Sequence, residues 1–213
     1  PRHQNQNPAA AVSFREELCA RIQALNLPPQ RPVRVWVLDE MRHGLHGFTR
    51  RVWGLPGHRP VAAMQQTYQW GYVYGAVSLG LARREFLLAE TVDQKHLGRF
   101  YRQIGESDPA AVHVLIQDGA GFHLPDGHPG LPDNVRIVTL PPYSPELNPI
   151  EGLWDQLKDS LCNRVFETLA EQRDCITAWL QAWWSDPRRL RSLIPDWILD
   201  QANASSVSII PVF

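Results

Sequence analysis

Lysine is nearly missing from this chain: Lys95 and Lys158 are the only two among 21 basic residues. Cysteine is scarce and odd in number, and Cys19, Cys162 and Cys175 stand in no metal-ligand spacing. That excludes a disulfide scaffold and a zinc ribbon, and it suits a reducing cytosol. No apolar run approaches the roughly 18 residues that a membrane helix requires, and no signal peptide opens the chain. There is no internal repeat and no low-complexity tract. Met is absent from position 1, so the chain, which begins at Pro1, reads as a fragment or a processed piece. With 44% hydrophobic and 20% charged residues, disorder, collagen and coiled coil are also excluded.

What remains is a chain of 213 residues, enough for one domain with a full core and a short appendage. Its net charge of −1 announces no partner, but the charge is unevenly spread. Arg31, Arg34, Arg42, Arg50, Arg51 and Arg59 face only Asp39 and Glu40 between positions 31 and 60, a local +4. Positions 131–160 carry −3. A basic and an acidic segment in one neutral chain suit an enzyme that grips a polyanion and holds cations. On charge alone, a solvated arginine-rich surface explains the same pattern.

Residues 1–12 are polar and Ala-rich and read as a linker. Ser13 with Glu16 makes a capping box, followed by Phe14, Leu18, Ile22 and Leu25 at helical spacing up to Pro28 and Pro29. Val33 to Leu38 is an apolar run ending at Asp39-Glu40, the pattern of a strand buried on both faces. About thirty residues rich in Gly, His, Arg and Pro follow, read as a loop or short hairpin. Tyr72 to Leu79 and Glu85 to Ala89 look like antiparallel neighbours, and positions 93–104 like a helix. Ala111 to Gln117 is a second buried strand ending on an acid, Asp118. Val135 to Leu140 is a third. Asn148-Pro149-Ile150-Glu151 opens a helix with an Asn cap and Pro at its first position. That periodicity runs to about Phe166, resumes from Thr168 to Trp184, and returns in a last short helix to Leu199. The pattern predicts an α/β fold: a mixed sheet with flanking helices.

Two buried strands each end on an aspartate. If they are parallel neighbours, Asp39 and Asp118 share one sheet edge, where α/β sheets build their sites. Two such carboxylates repel unless a cation neutralises them. An oxygen-only pair favours Mg²⁺ or Mn²⁺ over zinc, and Glu151 could supply a third carboxylate for two-metal phosphoryl transfer. Each residue also has a plainer reading. A strand-closing Asp is commonly a turn former, and Glu151 suits a capping-box partner.

The stretch Leu140-Pro-Pro-Tyr-Ser-Pro-Glu-Leu-Asn-Pro-Ile-Glu-Gly-Leu-Trp154 resembles the signature around the third acid of mariner-superfamily DDE transposases, in the bacterial insertion-sequence branch. Gln117-Asp-Gly-Ala-Gly-Phe-His123 resembles the second-acid motif and Leu38-Asp-Glu-Met-Arg-His-Gly44 the first. Thr49-Arg-Arg51, Gly57-His-Arg-Pro60 and Trp70-Gly-Tyr-Val-Tyr-Gly-Ala76 lie between them in the expected order. The resemblance spans positions 32–166.

It implies an RNase H-like DDE catalytic domain over positions 13–200, with 201–213 as a tail. Its catalytic and metal-binding triad is Asp39, Asp118 and Glu151, the last two 33 positions apart. The implied cofactor is Mg²⁺, with Mn²⁺ as a substitute. The implied chemistry is strand cleavage that exposes a 3′-hydroxyl, followed by strand transfer in cut-and-paste transposition. The partners are double-stranded DNA (transposon ends and target) and a second copy in a homodimer, with no membrane; the place is the bacterial cytoplasm at the nucleoid. Gly119 stands where many relatives have Asn, which removes one amide near the second acid.

DNA-binding candidates are Arg42, Arg50, Arg51 and Arg59 near the first acid, with Lys158 and His123. Lys158 reads equally as a solvated surface charge, and His123 as a structural histidine or a proton-transfer group. Asp155 would face a metal-bound water or solvent, and Arg164 a phosphate or solvent. Trp53 and Trp70 would stack on bases or fill the core, and Trp179, Trp183 and Trp184 pack internally or on a partner. Only a short polar segment precedes the first helix where relatives carry a helix-turn-helix region. Weak, sequence-independent DNA binding is therefore expected. Two further functions stay open: an inactive or domesticated DNA-binding remnant, and an RNase H-like nuclease acting on RNA–DNA hybrids.

Overall fold

The structure, a computed structural model, describes residues 4–58, 60–80, 83–184 and 186–205. Arg59 lies outside them, as do the side chain of Trp184 and residues 206–213 of the tail. Five strands form one mixed sheet: β1 (Val33–His46), β2 (Gln66–Ser78), β3 (Arg84–Ala89), β4 (Val112–Gln117) and β5 (Val135–Thr139), in the order β3-β2-β1-β4-β5. β1 is central. It pairs antiparallel with β2 and parallel with β4, and β4 pairs parallel with β5. The mixed sheet read from the sequence is the sheet observed.

Alternation along β1 explains the layers, because successive side chains leave a strand on opposite faces. Val35, Val37, Met41 and Leu45 point into the larger core. There they meet α1 (Pro8–Gln23), α3 (Ile150–Leu161), α4 (Leu169–Trp184) and α6 (Asp196–Ala204). Trp36 and Leu38 point the other way, onto Leu97, Phe100, Tyr101 and Ile104 of α2 (Gln94–Ser107). The imidazole of His113 is fully buried and fully used: Nδ1 accepts from the Trp36 indole at 3.0 Å and Nε2 donates to the Asp108 carbonyl at 3.1 Å. Burial holds its pKa below the ordinary histidine value, as that neutral tautomer requires.

Several boundaries differ from the sequence reading, and α3 ends at Leu161 rather than near Phe166. Helix α1 begins at Pro8, not Ser13: Asn7 caps it by accepting from the Ala9 and Ala10 amides, and Pro8 takes the first turn. Ser13 instead donates to Glu17 on the helix surface at 2.6 Å. β1 does not stop at Leu38. It continues through Asp39 to His46, because β2 extends antiparallel beside it and starts at Gln66 rather than Tyr72. Gly44 permits this, since a Cβ there would collide with the Trp70 ring and the Gln69 carbonyl. The C-terminal helical stretch is two helices, α5 (Pro187–Arg191) and α6, the latter reaching Ala204 rather than Leu199. Among the described residues, no helix is long and apolar enough to cross a membrane.

Candidate active site

Parallel pairing of β1 with β4 ends at Val37 and Ile116. Just beyond, Asp39 continues on β1 while Asp118 follows the last residue of β4, so the two acids sit at one sheet edge as expected. From β5 the chain returns through Leu140, whose amide donates to the Gln117 carbonyl at 2.8 Å. A proline-rich turn follows, with Tyr143 in the left-handed region at φ 56°, a conformation that an aromatic residue keeps only under surrounding constraint. α3 then starts, and Glu151 lies in its first turn.

Asn148 anchors this delivery. Its side-chain amide donates to the Leu38 carbonyl at 2.9 Å, while its Oδ1 accepts from the Ile150 amide at 3.4 Å and its backbone carbonyl from the Glu151 amide at 3.2 Å. One side chain thus fastens the start of α3 to the strand that bears Asp39. Asp39, Asp118 and Glu151 line a single cleft of about 370 Å³, together with Gly119, Pro141 to Pro145 and Asn148. A Cβ at Gly119 would meet only the Thr139 methyl at 3.5 Å, so the cleft has room for the side chain that is missing there.

The acids differ in charge state. Burial, reinforced by the negative charges of Glu151, Glu40 and Asp118, pushes the Asp39 carboxyl up to about 8. Glu151 is also raised: burial and the nearby Asp155 and Asp118 outweigh the attraction of Lys158. Asp118 is lowered, chiefly by its hydrogen bond from His123, whose Nδ1 lies 2.7 Å from Oδ1. His123 also faces Glu40, with Nε2 at 3.2 Å from Oε1. Both ring nitrogens therefore face acceptors and both must carry a proton. Burial alone would lower this pKa, but the Asp118 and Glu40 partners overcome it and push His123 up to about 10.

Among the described residues, no three acidic, histidine or cysteine side chains are gathered closely enough to hold one ion as they stand. The donor chemistry nevertheless fits a hard divalent cation. Three carboxylates share the cleft, and one of them, Asp39, is held neutral chiefly by burial and then by its neighbours' negative charge.

The other candidates scatter. The Arg42 guanidinium lies 4.4 Å over the Trp70 ring and is exposed, on the opposite face of β1 from Asp39. Arg50 is paired with Asp159 at the far end of α3, and Arg51 is exposed. Lys158 reaches Asp155 at 3.9 Å. The His123 side chain is only 3% exposed, a clamp between carboxylates rather than part of the outer surface. Trp53 stands wholly in water, while Trp183 is buried and its ring lies 5.2 Å from that of Trp179.

Sequence reasoning missed Glu40 as the second partner of His123, the tie from Asn148 to Leu38, and the bond from the Trp154 indole to Asp39 at 3.0 Å. The one available signal was helical phase, since Trp154 lies three positions after Glu151 and so on the same side of α3.

The family pattern of the DDE superfamily endonucleases matches residues 34–173. This chain is a DDE superfamily endonuclease. It is 37% identical over 118 residues to the uncharacterized protein y4pE/y4sA of Sinorhizobium fredii (strain NBRC 101917 / NGR234), covering 54% of this chain and 83% of that protein. Among solved structures it is similar to the Mos1 transposase paired-end complex with left transposon end, with TM-score 0.60, 16% identity, and coverage of 99% of this chain and 66% of that one. The Mos1 mariner paired-end complex with Mn follows, with TM-score 0.58, 15% identity, and coverage of 96% and 65%. The catalytic domain of Mos1 mariner transposase matches with TM-score 0.53, 14% identity, and coverage of 96% and 98%. The DDE endonuclease chain therefore has the RNase H-like fold, and it spans slightly less than two thirds of the longer transposase chains.

Proposed function

We propose that this DDE endonuclease is the catalytic domain of a DNA transposase that cleaves one strand at transposon ends and transfers it to target DNA. The observation that carries the reading is the convergence of Asp39, Asp118 and Glu151, from three separate elements, on one cleft at the sheet edge. These three would hold Mg²⁺ or Mn²⁺, which supplies Lewis acidity and an activated oxygen nucleophile when bound. Around them the chain's own groups set the geometry. The His123 imidazolium fixes Asp118 against Glu40, and Asn148 sets the phase of Glu151 by clasping Leu38. Among the described candidates, Arg42, Arg51 and Lys158, the last within 3.9 Å of Asp155, are the cations to meet phosphates, so affinity for duplex DNA falls steeply with salt. Arg50 contributes less, because its guanidinium is already paired with Asp159.

The test is nicking of an end-labelled duplex in Mg²⁺ or Mn²⁺, with D39N, D118N and E151Q beside the wild type. Cleavage lost in all three supports the reading, and full cleavage by any one of them rejects it. Running an RNA–DNA hybrid in parallel separates a transposase from a hybrid nuclease. The proposed partners are transposon ends, target DNA in the nucleoid of a bacterial cytoplasm, and a second copy of the chain. Trp53, Leu55 and Val61, between β1 and β2, expose apolar surface that a second copy would bury. Sedimentation with and without DNA reads the dimer, and a monomer in both conditions removes that part.

A further inference from the structure

Asp39 and Asp118 are held by different kinds of donor. Asp118 meets a charged imidazolium, whereas Asp39 Oδ2 accepts from the neutral indole N–H of Trp154 at 3.0 Å. The indole is a donor only, and its ring is 1% exposed, so this bond is how its N–H is satisfied in the core. Trp154 also shares a side of α3 with Glu151, three residues earlier. One helix therefore delivers the third acid and grips the first.

The opposite wall is Gly75 of β2, the residue paired directly across from Asp39. A Cβ on Gly75 would lie 2.5 Å from Trp154 Cη2, 2.8 Å from Cζ2 and 3.1 Å from the Ile150 methyl. The two nearest of these atoms belong to a rigid ring, with Phe86 edge-on at 6.5 Å on one side; only the Ile150 methyl is a flexible side-chain end.

We propose that Trp154 is a positioning residue for Asp39, fixing one carboxylate oxygen and leaving the other to the cleft, and that Gly75 is the notch that lets the indole reach it. This rests on the reading of Asp39 as a metal ligand. A neutral donor suits that role, because it holds the oxygen without cancelling the charge a cation needs. Partners that orient a ligating carboxylate in this way typically change metal affinity by about ten- to a hundredfold when removed.

The experiment uses the intact chain and the variants W154F, G75A and D39N, with two readouts. The first is the indole ¹H–¹⁵N resonance of Trp154 in metal-free protein, assigned by its loss in W154F. The second is Mn²⁺ affinity by calorimetry. The resonance is expected to move in both D39N and G75A. Mn²⁺ binding should weaken about tenfold or more in W154F and G75A, and be lost in D39N. If D39N loses Mn²⁺ but W154F and G75A bind it like the wild type, the positioning role is overturned and the metal reading stands. If D39N binds Mn²⁺ normally, the metal reading falls, and the resonance decides. Unmoved in D39N, it overturns the anchor as well; moved, it keeps Trp154 as the holder of Asp39. Should W154F fail to fold, G75A, with its indole intact, carries the same comparison.

Discussion

Asp39 and Asp118 are the same residue type at the same sheet edge, yet one carboxyl is pushed up to about 8 and the other is held below its ordinary value. The cause is company, not chemistry. Asp39 is buried among Glu151, Glu40 and Asp118, held by the neutral Trp154 indole and the Glu40 backbone amide. Asp118 is half-exposed and carries its own cation, the His123 imidazolium. The pair shows how a carboxylate cluster survives folding without an ion. One member is neutralised by a proton and another by a histidine, and on the proposed reading the first is the member a cation would deprotonate.

The strongest way to break that comparison is to remove the acids. D39N, D118N and E151Q should each reduce cleavage by more than about a thousandfold, since direct stabilisation by a held ion is worth several kcal/mol. A variant within tenfold of wild type would show that its acid is a bystander. Next is the clamp. H123A leaves Asp118 and Glu40 facing each other with no cation, and should cost about 2–4 kcal/mol in urea unfolding. The exposure of Asp118 moves the value toward the lower end. A loss under about 0.5 kcal/mol would mean the imidazolium contributes nothing net. Because the pKa of His123 is raised from 6.5 to about 10, its stabilisation is complete below pH 6.5 and fades as pH climbs toward 10.

The third prediction sharpens the contrast. Binding of Mn²⁺ must displace the proton on Asp39, so affinity should rise about tenfold per pH unit below 8 and flatten above it. Calorimetry in buffers of different ionisation enthalpy counts that proton. A flat profile in the wild type would sink the assignment. Without metal, the raised carboxyl acts in the opposite direction on folding. The native state keeps a proton that the unfolded chain has lost above pH 3.8, so stability falls as pH rises toward 8. The smallest effect belongs to the arginines: R42A should weaken DNA binding a few-fold and reduce the salt slope by about one. R50A should change less, its charge being already met by Asp159.

The sheet was legible because β1 and β4 are apolar on both faces and each leads to an acid, and the Pro-rich signature marked the third carboxylate. The length of β1 was not. Asp39 and Glu40 look like the polar end of a strand, and only the partner strand β2 carries pairing on to His46. The start of α1 was written in Asn7-Pro8, but the Ser13–Glu16 pattern offered a rival cap and composition favoured a linker. Within the site, identities were readable and charge states were not. The raised carboxyl of Asp39 depends on burial and on Glu151 and Asp118, which only the fold brings near. The same holds for the Trp154–Asp39 bond, which spans 115 positions, and for the second partner of His123, 83 positions away.

The clasp of Asn148 on Leu38 joins positions 110 apart and sets a gauge for the chain between them. Because β5 is pinned in the sheet at one end and Asn148 at the other, the Pro141–Leu147 connector is a spacer of fixed length. A single residue inserted there would rotate every later side chain of the helix by about 100° or tear the clasp open. The 51–64 segment, which contains no helix or strand among its described residues and lies beyond the bonds of Gly47, Phe48 and Arg50, can absorb insertions. Length variation among natural homologues should therefore collect in the one and be barred from the other.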